Sequence, residues 1–336
     1  MMLLKSKSVS IIILIAVCCI AMAFCGAAQA QDDGARAYWK TLEDTNIVSF
    51  QYLRFNSDTT GSQTFDPSHG LYPNSETDLD LYLLSYARQI GLFGRSAMIT
   101  CSINGGDMNS ELDADPFDPT SGRIRQTANG FGDPGVGLTV NLYGAPRLTN
   151  FYDMGNYEPS ITVDVSGLLT IPIGEYDNDR IVNIGQNRWY GRLAFPVVFY
   201  FGSYAPLYRT SLEVTPAVFI FDKNDDFLGQ DLENDPLYQL EAHLTRDFTR
   251  NFFGSLDFMW REGFDTEIDG NDEGDELKIM TLGFTVNFQI NDNAGLRFSY
   301  HSNFIDDDDF DADMIRFQFY YGWNALVENV KALVHH

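Results

Sequence analysis

From Ile161 to Ile171 the chain alternates with period two. Ile161, Val163, Val165, Gly167, Leu169 and Ile171 are apolar or glycine, while Thr162, Asp164, Ser166 and Thr170 are polar. Residues two apart wind around a helix but share one face of a strand, so this run is a strand with an apolar side. Related runs occupy 46–55, 78–88, 96–104, 134–144, 159–172, 188–202, 208–221, 236–246, 251–262, 275–289, 294–304 and 313–323. Most reach the roughly nine to eleven residues with which a tilted strand crosses a bilayer. Gln31 to Glu43 is expected to hold a short helix ahead of the first strand.

The lengths of the connections alternate as well. Gln89–Arg95, Gly202–Leu207, Arg246–Asn251 and Ile290–Ala294 are short. The segments 56–77, 105–133, 173–187, 222–235, 263–274 and 305–312 are longer and acidic, and only 145–158 is a long connection on the short side. Short turns at one end and long loops at the other mark outer-membrane barrels, with the short turns in the periplasm. A soluble sandwich would alternate too, but it has no need of strands this long or of loops sorted by length and charge. The expected fold is all-β: a transmembrane antiparallel up-and-down barrel of about 12 strands.

The two ends of the chain agree with export. Lys5 and Lys7 precede an apolar stretch from Ile11 to Phe24, and Ala28-Gln29-Ala30 is a small-residue cleavage site. Residues 1–30 therefore read as a cleaved signal peptide, 31–45 as a periplasmic segment, 46–323 as the barrel and 324–336 as a C-terminal tail. No later stretch could cross as a helix. The longest uncharged run, Leu193 to Tyr208, is interrupted by Pro196, Gly202 and Pro206 and falls short of the about 20 residues a helical span needs. Cys18, Cys19 and Cys25 leave with the signal, so Cys101 is alone and no disulfide framework exists. The formal charge of −25 becomes −27 once the two lysines are removed. That balance excludes nucleic acid, whose phosphates would be repelled. The expected surroundings are outer-membrane lipid and lipopolysaccharide, with small hydrophobic or aromatic solutes as cargo.

The apolar registers assign an outward face to Met280, Leu282, Phe284, Val286 and Phe288, to Leu296, Phe298 and Tyr300, and to Ile315, Phe317, Phe319, Tyr321 and Trp323. The opposite faces would line the lumen. They carry Asp164, Tyr190, Arg192, Glu213, Glu241, His243, Asp257, Arg297, Arg316 and Tyr320, and on the second strand Asp80, Tyr82, Tyr86 and Arg88. In a barrel of this size acids and bases could pair across the interior and prop the wall, or act as a selectivity lining. Tyr82, Tyr86, Tyr190 and Tyr320 are the expected contacts for an organic solute.

Two sites of chemistry can be weighed. His301 and Ser302 are a possible dyad, but neighbours on a strand point to opposite faces, so no enzyme is expected. Asp265, Glu267, Asp269 and Glu276, with Gly270, match the spacing of a calcium loop. Glu at the third position and flanking strands in place of helices depart from that pattern. A solvated acidic loop with weak calcium binding is the expectation, and no other cofactor.

Gly130-Phe131-Gly132-Asp133-Pro134, then Pro172-Ile173-Gly174-Glu175-Tyr176, then Asn183-Ile184-Gly185-Gln186-Asn187-Arg188-Trp189 form a recognisable series. Over about residues 125–325 the chain resembles the "MetA-pathway of phenol degradation" family of outer-membrane proteins. The resemblance implies a barrel linked to uptake of aromatic or other apolar compounds. Its motif residues offer no nucleophile or general base, which fits a conduit. Either a channel for small apolar molecules or a structural barrel with a closed, salt-bridged lumen follows.

Overall fold

The computed structural model describes residues 33–57, 76–113, 122–202, 209–272, 277–306 and 312–334. The signal at 1–30, His335, His336 and Glu276 of the acidic loop lie outside the described residues. The strands are β1 (Asn46–Ser57), β2 (Glu76–Leu92), β3 (Arg95–Asp113), β4 (Arg123–Phe131), β5 (Gly135–Tyr143), β6 (Ile161–Thr170), β7 (Tyr190–Ala194), β8 (Val197–Phe201) and β9 (Thr210–Phe221). They continue with β10 (Asn224–Phe227), β11 (Gln230–Asn234), β12 (Leu237–Thr249), β13 (Phe252–Gly263), β14 (Thr266–Ile268), β15 (Asn271–Asp272), β16 (Leu277–Gln289), β17 (Ala294–Asp306) and β18 (Ala312–Trp323).

They close a 12-stranded antiparallel barrel. Neighbours in sequence pair in the wall, and β1 seals against β18 with Phe50 opposite Phe319. Two walls are interrupted. β4 stands above β5 along the upper part of β3, separated from it by Gly132-Asp133-Pro134. β7 and β8 are split at Phe195-Pro196, where a proline cannot donate to the ladder. There the neighbouring strands bond around the break: the Asp164 amide donates to the Pro196 carbonyl and the Phe195 amide to the Pro216 carbonyl.

The outward belt is apolar. Leu282 and Phe284 on β16, Leu296 on β17, and Phe317, Phe319 and Tyr321 on β18 are exposed, as the period-two register predicts. On β16 the inward Thr281 and Thr285 are buried between them. With no partner inside the chain, this belt faces hydrocarbon, and closure leaves no sheet edge unsatisfied there. The protein is a transmembrane barrel of the outer-membrane type.

On β2 the expected register is inverted. Leu79, Leu81 and Leu83 are the buried, inward residues, whereas Tyr82 is 46 % exposed. Asp80, Tyr86 and Arg88 share the outward parity of Tyr82. Tyr82 stacks on Phe50 outside the wall, and Asp80 accepts from Tyr52 and pairs with Arg54 at 3.1 Å. The alternation is real, but both faces of β2 carry apolar groups, so hydrophobicity alone selects the wrong one.

Three features lie beyond the barrel. β10, β11, β14 and β15 form a small sheet at the long-loop end, with its own core of Phe227, Leu232 and Ile268. At the other end the long 145–158 connection carries a short helix, α1 (Phe151–Gly155), and the tail carries α2 (Ala325–Val334). Leu42, Ala145, Leu148 and Tyr157 form a cluster there, against which Met154 and Val327 pack. The connection is long because it supplies this rim core. Asn324 fastens the helical tail to the N-terminal segment, donating from Nδ2 to the Glu43 carbonyl and to Thr45 Oγ1, both at 2.9 Å. The expected helix between Gln31 and Glu43 does not form among the described residues: 33–45 are turns and irregular backbone, with Gly34 at φ +82° and Arg36 at +63°.

Candidate functional site in the barrel lumen

The half of the lumen at the short-turn end is polar and filled by a segment of the chain that precedes the first strand. Residues 33–40 enter between the walls. Arg36 bonds Asp247 at 2.6 Å and Thr245 at 3.0 Å, and its backbone amide donates to Glu213 at 2.8 Å. Trp39 Nε1 donates to the same Glu213 at 2.9 Å, Lys40 Nζ bonds Asp164 at 2.8 Å, and Asp33 accepts from Arg192 at 2.8 Å. The Asp33 amide reaches both oxygens of Glu241 at 3.2 Å. Gly34 passes close to the remaining bases, since a Cβ there would stand 3.2 Å from Arg316 and 3.4 Å from Arg297. The acids and bases of the wall therefore meet an inserted segment that stands between them, and they do not pair across an open bore.

Along the wall itself Asp257 gathers His243 at 2.7 Å, His301 at 3.3 Å and Thr285 at 2.6 Å. Every carboxylate here has donors around it, as buried charge requires. The pleat sends His301 inward to Asp257 and Ser302 to the opposite face, so the pair makes no dyad.

The outer half is apolar. Leu53 and Phe55 on β1, Leu79, Leu81 and Leu83 on β2, Met108 on β3, Ala128 on β4 and Met314 on β18 turn inward and form one cluster. Val182 and Ile184 complete it from the 171–189 segment, which folds into the mouth. Across the barrel Phe219, Leu237, Phe264, Leu277, Ile279 and Ala312 form a second cluster, with Phe221 packed on it. Between the wall, the 171–189 segment and the small outer sheet lies a pocket, part of it open to solvent. Leu79, Leu81, Met108, Ile184, Phe227 and Leu232 give it apolar sides, and Tyr176, Asn183, Gln186, Arg188 and Asn224 its polar groups.

The three motifs converge on the segment that shapes this pocket. Asp133 is fully buried, and one carboxylate oxygen accepts from the Gly174 amide at 2.8 Å and the other from the Gln186 amide at 2.7 Å. Gly132, Gly174 and Gly185 stack backbone on backbone: a Cβ on Gly174 would lie 2.6 Å from Gly132, and one on Gly185 would lie 2.8 Å from Gly174. Tyr176 accepts from Asn224 at 2.8 Å, tying the segment to the outer sheet. Asp133 lies in the break below β4, outside the crossing strands. Burial pushes its carboxyl up to about 6, against the opposing effect of the two amides. The motif is thus a clamp that holds the loop inside the mouth.

Most of the expected lumen residues face inward. Asp164, Tyr190, Arg192, Glu213, Glu241, His243, Asp257 and Arg316 are buried. Arg297 is half-buried, and Tyr320 sits half-buried at the periplasmic rim, donating to Gln289 at 2.8 Å. Tyr190 lies in the outer half beside Phe221, with ring centroids 5.7 Å apart. Tyr82 and Tyr86 are on the outside and cannot meet a solute within the barrel. Asp265, Glu267 and Asp269 lie on and beside the β14–β15 hairpin, with Glu267 on a strand and Asp269 at the turn, where it accepts from the Asp231 amide at 2.9 Å. Among the described residues no three His, Cys, Asp or Glu side chains converge on one point as a cation set. Asp33, Arg36 and Lys40 were not anticipated, and Asp133, Arg188 and Ile184 were visible as motif residues but not as parts of the lumen. The signal for the first three was a mixed-charge stretch, Asp33 to Lys40, lying directly before the first strand.

The sequence matches the family model "Putative MetA-pathway of phenol degradation" over residues 51–319. The chain belongs to that family. No protein of curated function matches it. Its fold is similar to that of a COG4313 outer membrane channel from Pseudomonas putida F1, at 15 % identity and a TM-score of 0.67, over 87 % of this chain and 100 % of that one. The beta domain of the Bordetella autotransporter BrkA is a more distant likeness, at 8 % identity and a TM-score of 0.48, over 84 % of this chain and 100 % of that one. The first of these likenesses concerns architecture alone, the outer-membrane barrel.

Proposed function

We propose that this family member is an outer-membrane conduit for small, largely apolar molecules, entered from outside and closed from the periplasm by its own N-terminus. The observation that carries the reading is the apolar interior of the outer half, which ends in the pocket under the 171–189 segment. A water-filled pore for ions or sugars has no use for inward Leu79, Leu81, Leu83 and Met108, which bind water poorly and apolar solutes well. The similar fold described as an outer membrane channel agrees with a transport role. The packed polar half below supplies the gate, since residues 33–40 must move for a solute to pass.

That same packing favours a second reading, a structural barrel that never opens. Uptake by proteoliposomes distinguishes the two. A conduit admits toluene or benzyl alcohol faster than protein-free vesicles do, and Leu81→Arg slows that uptake. Permeation equal to that of empty vesicles leaves the structural reading.

A further inference from the structure

Arg188 lies in the wall of the outer pocket and is only 2 % exposed. Its guanidinium stands over the rings of Phe221 and Phe264, with centroids 5.0 and 5.9 Å away. NH1 donates to Asn234 at 2.6 Å, and NH2 makes a long contact of 3.5 Å with Gln186. Both of these partners are neutral. No carboxylate lies within ion-pair distance of Arg188 among the described residues, although its neighbourhood is rich in acids: Asp133 and Asp222 act on it only from further off. Four bases of the lumen and its inserted segment are treated differently. Arg36, Lys40, Arg192 and Arg209 each hold a carboxylate at 2.6–2.9 Å.

A buried cation without a counter-charge is expensive, and a chain this acidic could have supplied one cheaply. Here the guanidinium is held by neutral side chains, at the side of a pocket otherwise lined by Leu79, Leu81, Met108, Ile184, Phe227 and Leu232. The planar fork of an arginine suits the two oxygens of a carboxylate, and a low-dielectric surrounding strengthens that pairing. We propose that the outer pocket binds small molecules with an apolar body and one carboxylate, such as a single-ring aromatic acid, the carboxylate pairing with Arg188 and the body lying against the leucine and methionine wall. The inference rests on the conduit reading and narrows its cargo. Asn234 is then a positioning residue, which holds the guanidinium without neutralising it.

Titration calorimetry on the full mature protein in detergent tests this, with benzoate and benzamide as probes. They match in shape and differ in charge. Wild type is expected to bind benzoate about ten- to a hundred-fold more tightly than benzamide, the worth of one or two charge-assisted hydrogen bonds. Arg188→Gln should abolish that preference while leaving benzamide binding in place. Because Arg188→Gln could fail to fold, Asn234→Asp is the second variant. It places a carboxylate on the guanidinium, keeps the packing, and should also remove the benzoate preference, with unheated mobility in SDS reporting the folded barrel. Equal affinity for the two probes in wild type overturns the inference, as does a preference that survives in both variants. Uptake of toluene by proteoliposomes is read in parallel. If it persists while benzoate shows no preference, the conduit stands and the carboxylate site falls. If toluene is not taken up, the conduit reading itself has failed.

Discussion

The two halves of the lumen are built on opposite principles. Toward the periplasm the walls present Asp164, Glu213, Glu241 and Asp247, and the inserted segment's Asp33 amide, Arg36, Trp39 and Lys40 answer them. Toward the outside the walls present Leu53, Leu79, Leu81, Leu83 and Met108, answered by Val182 and Ile184. One end is closed by ion pairs, which can be exchanged for water when the segment leaves. The other is shaped by apolar groups that a solute can replace. On the conduit reading, that difference gives the passage an apolar mouth and a floor held by ion pairs.

The sharpest break in this comparison is the floor. Arg36 and Asp247 are 7 % and 3 % exposed, and removing one partner of such a buried pair costs about 3–5 kcal/mol. Arg36→Ala is therefore expected to release residues 33–40 and expose them to limited proteolysis while the barrel stays folded. Protection equal to that of wild type would show that the segment is held by something else. In the outer half Leu81→Ala should cost about 2–5 kcal/mol in folding titrations, the range for truncating a buried leucine. Tyr82→Ala next to it should leave solute uptake unchanged, because its ring lies outside the wall. A large uptake defect for Tyr82 with a silent Leu81 would restore the register that the structure rejects. On the lipid face Phe284→Arg should cost about 2–4 kcal/mol in vesicle folding, and a negligible cost would remove that face from hydrocarbon.

The smallest effect concerns the clamp. The Asp133 carboxyl sits at about 6 in the folded chain against an ordinary 3.8. A raised value means the folded state holds the proton more tightly. The resulting stability is complete below about 3.8 and is lost as pH rises through about 6. At about 1.4 kcal/mol per unit the loss is at most about 3 kcal/mol. Amide exchange at Gly174 and Gln186 should therefore speed up between pH 5 and 7.5 beyond the intrinsic rate. Asp133→Asn should flatten that dependence, and an unchanged pH profile in the variant would assign it to another group.

The same contrast explains what the sequence could tell. Much of the wall was legible, because wherever a strand separates hydrocarbon from a polar interior its alternation has one meaning. β16 is the clear case: Leu282 and Phe284 face outward and Thr285 inward. β2 defeats the rule because the outer lumen is itself apolar, so Leu81 and Tyr82 compete for the same assignment. The insertion of residues 33–40 was hidden for another reason. It depends on partners more than 120 positions away, such as Lys40 with Asp164, and on no local period. The motif glycines were visible as shape, but their purpose required three distant segments to be seen in contact through Asp133. β4 and the small outer sheet were missed because short, polar strands carry little hydrophobic pattern.

On the conduit reading, residues 33–40 are a removable floor across the barrel. Single-channel conductance in planar bilayers tests it most directly, comparing wild type with an Arg36→Ala/Lys40→Ala variant. Wild type is expected to stay closed with rare brief openings, and the double variant to show sustained steps. Identical, silent traces from both proteins, each confirmed as folded, would contradict it.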